Sequence, residues 1–104
     1  MGKGADLKVR KFIKKVRSKL KIDVALLFGS RARGDNLKDS DYDVLIVSSD
    51  FEGKGFGDRV LEIYDCWDYL PLDIEPLCYT PKEFARMKKR IGIVQQALKE
   101  GIAV

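Results

Sequence analysis

The run "DVLIVSS", residues 43–49, constrains the fold of this chain most. It is rich in β-branched residues, whose stiff side chains fit a pleated surface, and it is too short to be an independent helix, so it reads as a strand. A second run, Asp23 to Phe28, is short, apolar and followed by glycine, the pattern of a buried strand. A third, "LDIEPLCYT" over residues 72–80, alternates as a strand does. Pro76 within it points to an edge position or a bulge, because proline cannot donate to a ladder.

Between these strands the apolar period lengthens. Val9, Phe12, Ile13, Val16 and Leu20 recur at helical spacing among lysines, which predicts an amphipathic helix over residues 6–20. After a glycine-rich loop, residues 50–58, Val60, Leu61, Ile63, Tyr64 and Trp67 form another helical stripe. Its glycines Gly53, Gly55 and Gly57 lack both the GxGxxG spacing and a Lys-Ser/Thr ending, so they read as a connection and not as a phosphate cradle. Thr80, Pro81 and Glu83 make a capped helix start, and "GIVQQALKEG" reads as a last helix ending at Gly101. Alternating strands and helices define an α/β (α+β) class, with helices flanking a small mixed sheet. The 104 residues are expected to form one domain: a basic helix at 6–20, a core at 22–80 and C-terminal helices at 81–104.

Composition narrows the chemistry. Histidine is absent, which removes Ser-His and Cys-His nucleophiles, HExxH metal sites and imidazole bases. Cys66 and Cys78 have neither CxxC spacing nor a second pair, and read as buried free thiols. No apolar run approaches the roughly 20 residues that span a bilayer, and no signal-peptide pattern opens the chain; a cytoplasmic location is expected. The net charge of +4 is uneven, since residues 1–21 hold nine Lys or Arg against Asp6 alone. That excess reads as a solvated helix face. Nucleic-acid binding through Lys11, Lys14, Lys15 and Arg17 is the alternative, and it requires steep salt dependence.

The segment "LLFGSRARGDNLKDSDYDVLIV", residues 26–47, sets costly polar groups between two strands. Asp41 and Asp43 lie two apart where a strand starts, so they share a face at roughly 6.7 Å along the backbone. Carboxylates that close repel, and one is expected to hold a proton unless a counter-charge intervenes. A hard divalent cation resolves the conflict, and oxygen-only ligands point to Mg²⁺ or Mn²⁺. Asp73 and Glu75 repeat the spacing on the third strand, and either could complete a three-carboxylate cluster. Gly29 permits close backbone approach, Ser30 and the following amides suit a phosphate, and Arg31 and Arg33 add positive charge. Together these groups read as the two halves of a nucleoside triphosphate site.

"GSRARGDNLKDSDYD" resembles the GSxARGxxxxxSDxD motif of the nucleotidyltransferase superfamily typified by DNA polymerase beta, and the short chain is similar to its minimal nucleotidyltransferase (MNT) branch. Gly29, Ser30, Ala32, Arg33, Gly34, Ser40, Asp41 and Asp43 carry the likeness, and "YTPKEF" and "ALKEGI" are similar to the tail of many minimal members. The resemblance implies a palm-like α/β fold, two metal ions, and transfer of a nucleoside monophosphate from a triphosphate, ATP favoured, with release of pyrophosphate. It implies triphosphate contacts at Gly29 and Ser30, metal binding at Asp41 and Asp43, and a third acid on the later strand. Glu75 fits the family spacing for that acid and Asp73 the residue type; Glu75 is favoured, also as a metal ligand. The resemblance further implies a small helical partner of the HEPN type, with this chain as antitoxin of a toxin–antitoxin pair. A partner-binding antitoxin with weak or no catalysis is the alternative.

Overall fold

The computed structural model describes residues 3–34, 41–66 and 74–104, with side chains described from residue 7 onward. Among these residues four strands form one sheet in the order β3-β2-β1-β4: β1 (Val24–Phe28), β2 (Tyr42–Val47), β3 (Ile74–Tyr79) and β4 (Ile102–Ala103). β1 runs antiparallel to β2 and to β4, whereas β2 and β3 are parallel. The sheet is mixed, as expected, and Pro76 lies on its β3 edge, where a missing N–H costs no ladder bond on the outer side.

Among the described residues five α-helices flank the sheet: α1 (Lys3–Arg17), α2 (Ser30–Arg33), α3 (Phe56–Tyr64), α4 (Pro81–Met87) and α5 (Ile93–Glu100). Strand alternation divides β2 between two cores. Val44 and Ile46 join Val9, Phe12, Ile13 and Val16 of α1 and Ile63 of α3 on one face. Leu45 faces the other way, with Phe28, Tyr79, and Val94 and Ala97 of α5, while Phe84 and Met87 of α4 pack around them. An uninterrupted apolar strand is therefore required, because both of its faces are buried; each such side chain contributes about 1.5–3 kcal/mol.

Several boundaries differ from the sequence reading, each for a local reason. α1 ends at Arg17 because the amides of Lys19 and Leu20 both turn back to the Val16 carbonyl, closing the helix in a tighter turn. β2 stops at Val47, since the Ser48 side chain accepts from the Asp50 amide and caps a 3₁₀ turn over Ser49–Phe51. The loop is shorter than its glycines imply: α3 begins at Phe56, behind Gly55. β4 is an addition, two residues that pair with Leu26 and Leu27 directly after α5. A strand so short has no periodicity to read. Ile91, in the bend between α4 and α5, is 98% exposed while Val94 of α5 is buried, so the apolar residues of the C-terminal segment divide between core and surface.

The predicted cap of α4 is present in full: Thr80 accepts from the Glu83 amide, and the Glu83 carboxylate accepts from the Thr80 amide. Glu83 also meets Arg59, a charged residue only 5% exposed. Arg59 Nη1 donates to Glu83 Oε1 at 2.6 Å and to the Cys78 carbonyl at 3.1 Å, and its Nε donates to the Lys54 carbonyl at 2.8 Å. One side chain thus joins α3, the end of β3 and the start of α4, and its guanidinium also lies 5.0 Å from the Phe56 ring centre. Both cysteines are free and buried, and burial pushes the Cys78 thiol up to about 12. Among the described residues no helix is long and apolar enough to cross a membrane.

Candidate active site

The site lies at the end of the sheet where β1 finishes and β2 and β3 begin. β1 ends at Phe28, paired with Asp43, and the chain then turns through Gly29 into α2. Gly29 has φ +75° and ψ −157°, a region essentially restricted to glycine. A second reason for glycine is space: a Cβ there would collide with Asp43 Oδ2. The turn and the carboxylate are in contact. α2 follows as one short turn, with the Ala32 and Arg33 amides bonded to the Gly29 carbonyl, and Gly34 closes it in the left-handed conformation at φ +84°.

Parallel pairing sets Asp43 directly opposite Glu75. Asp41, two residues before Asp43, shares its face and hydrogen-bonds to Glu75. The crowding is visible in proton affinity. The Asp43 carboxyl is raised above its usual range by burial first and by Asp41 next, with Arg33 opposing. Glu75 is raised chiefly by its hydrogen bond to Asp41. Charge conflict of this kind, among oxygen donors alone, fits a hard divalent cation, and the close Gly29 turn leaves one side of Asp43 without side-chain cover. Among the described residues no three acidic or thiol side chains converge closely enough to hold a metal ion as they stand. Asp73 and Ser40 lie outside the described residues.

The arginines part company. Arg31 stacks its guanidinium 4.3 Å from the centre of the Tyr42 ring, and Tyr42 alternates to the sheet face opposite Asp41 and Asp43. Arg33 stays with the carboxylates, where Nη1 donates to both oxygens of Glu100 at 3.1 Å. Glu100 is a site residue that the sequence reading did not single out. Its only sequence signal is the position before Gly101 at the end of a helix, which gives no hint of contact with residues some seventy positions earlier. Tyr64, in the apolar stripe of α3, does more than pack: its hydroxyl donates to the Ile74 carbonyl at 2.7 Å and steadies the start of β3 beside Glu75.

An acidic sheet end beside a Gly-Ser turn, on a mixed sheet with helices on both faces, defines the nucleotidyltransferase class. The sequence matches the nucleotidyltransferase domain family over residues 9–104, and the chain belongs to that family. No curated protein matches the chain. Among solved structures it is similar to a "putative nucleotidyltransferase" from Sulfolobus solfataricus. The two share 21% identity and a TM-score of 0.66, over 99% of this chain and 89% of the other. At that identity the likeness is one of fold.

Proposed function

We propose that this chain is a metal-dependent nucleotidyltransferase that moves the nucleoside monophosphate of a nucleoside triphosphate, ATP favoured, to an acceptor nucleophile in the cytoplasm, releasing pyrophosphate. One observation carries the reading: Asp43 and Glu75 stand side by side on parallel strands, coupled to Asp41, where the Gly29 turn closes on Asp43. A triphosphate brings negative charge to an already acidic sheet end, so the two are compatible only with cations between them.

Asp41 and Asp43, with Glu75, would hold Mg²⁺ or Mn²⁺, two ions by family likeness. When bound, such ions polarise the phosphoryl oxygens and offset the charge that builds up in transfer. The Gly29 turn presents the amide and hydroxyl of Ser30 to phosphate oxygens, with Arg33 beside them, while Arg31, held against Tyr42 on the other face of the sheet, adds positive charge behind the turn. Glu75, opposite Asp43 on the adjacent parallel strand, takes the proton of the attacking group. Asp73, two residues earlier, is the alternative for that role.

The family likeness supports a small helical HEPN-type partner, with this chain as antitoxin. The exposed corner of Ile91, Ile93 and Leu98, rimmed by Lys88 and Lys99, suits contact with another protein. The test is pyrophosphate release from ATP with Mg²⁺, with and without such a partner as acceptor. Release is expected in the wild type and is expected to fall by roughly a hundredfold or more in Asp41→Asn/Asp43→Asn. Unchanged release in that variant would overturn the catalytic assignment, and no release under any condition would favour a purely binding role.

A further inference from the structure

Glu100 ends α5 and reaches across to the Gly29 turn from the opposite end of the sequence. Its Oε1 accepts from the Gly29 amide at 2.9 Å, from Arg33 Nη1 at 3.1 Å and from Gln96 Nε2 at 3.4 Å; its Oε2 accepts from the same Arg33 nitrogen at 3.1 Å. These donors hold the carboxylate below the usual glutamate range, against the pull of burial.

The backbone that carries Glu100 is fixed on its other side. Gly101 follows, and a Cβ there would collide with the Ala97 carbonyl and press on Leu26. β4 then pairs Ile102 with Leu27 and Ala103 with Leu26, and the Val104 amide donates to the Ala25 carbonyl at 3.0 Å. α5 and β4 therefore deliver one carboxylate to a set place beside β1.

We propose that Glu100 is a positioning residue for the donor site: it clamps the Gly29 amide and the Arg33 guanidinium, and so sets the Gly29-Ser30 turn against Asp43. The proposal rests on the donor-site reading given above. Charge-assisted hydrogen bonds are about twice as strong as neutral ones, so the carboxylate can fix the peptide plane entering Gly29. Since Gly29 sits where only glycine is at ease, that peptide decides where Ser30 points. The same clamp occupies Arg33, which otherwise stands close to Asp43 as a competing partner.

The test is Glu100→Gln, which keeps the size and one acceptor but removes the charge, compared with Glu83→Gln, which weakens a different ion pair far from the turn. Amide spectra of the two variants and calorimetric titration with Mg²⁺–ATP are read together. In Glu100→Gln the Gly29 and Ser30 amide signals are expected to shift and Mg²⁺–ATP affinity to fall at least about fivefold. In Glu83→Gln the protein is expected to melt earlier with its affinity unchanged. Wild-type affinity in Glu100→Gln, while the wild type binds, overturns the proposal and leaves the donor site standing. A wild type that binds no triphosphate overturns the donor-site reading itself. The clamp is then judged by the spectra alone, and unshifted Gly29 and Ser30 signals overturn it.

Discussion

Asp43 and Glu75 occupy matched positions on adjacent parallel strands, so their carboxylates project from the same face at the same level of the sheet. With Asp41 hydrogen-bonded to Glu75, three acids share one sheet end. Carboxylates this close repel one another unless a cation or a proton intervenes. Removing part of this repulsion by Asp41→Asn is therefore expected to raise the melting temperature of the metal-free protein, by a few degrees at most because the groups are largely exposed. Scanning calorimetry in a chelator checks this. A clear loss of stability would contradict the conflict described here.

Gly29→Ala confronts two barriers, a backbone region closed to other residues and the oxygen of Asp43. A loss of at least about 2 kcal/mol is expected in urea unfolding, together with loss of triphosphate binding. Gly57→Ala, inside α3 with open space around its Cβ position, is expected to be neutral or stabilising by up to about 1 kcal/mol.

Arg59→Met leaves Glu83 without its cationic partner and the Cys78 and Lys54 carbonyls without their donor. Arg59 is buried but the Glu83 side chain is 26% exposed, so water relieves part of the loss, and about 2–3 kcal/mol is expected, a large share of the stability of a domain this size. The denaturant midpoint reports it. The proposed triphosphate site, at the other end of β3, is expected to keep its affinity in any folded fraction.

The same pair gives stability a dependence on acid. Its hydrogen bond to Arg59 holds the Glu83 carboxyl below the ordinary range near 4.5. A depressed carboxyl contributes stability above its unfolded value and loses it as pH falls through the folded one. Melting temperatures followed from pH 6 downward are expected to decline below about pH 4.5, and Glu83→Gln is expected to flatten that limb.

With burial pushing the Cys78 thiol up to about 12, and the Cys66 thiol also raised by burial, neither offers thiolate at neutral pH. Thiol-specific reagents are expected to modify both cysteines only as the chain unfolds. Rapid modification of the native protein would show that these positions open locally.

The sequence carried the strands through β-branched runs and the helices through their apolar stripes, because burial on two faces or on one leaves a direct mark on residue type. The DxD spacing and the Gly-Ser turn were equally legible, since both work through local geometry. Glu100 was not. Its role arises when α5 and β4 bring the end of the chain against β1, and a glutamate before a helix-ending glycine looks like any solvated residue. The different duties of Arg31 and Arg33 were hidden for a similar reason: two positions on one short helical turn face opposite sides of a sheet. Nor did spacing reveal Arg59, whose partners lie on three separate elements.

Calorimetric titration of ATP, with and without Mg²⁺, into the wild type and into Asp41→Asn/Asp43→Asn tests the donor site most directly. Binding that needs both the metal and the two aspartates is expected, with little heat from the variant. Equal binding by the variant, or binding indifferent to Mg²⁺, would contradict the assignment of this sheet end as a metal–triphosphate site.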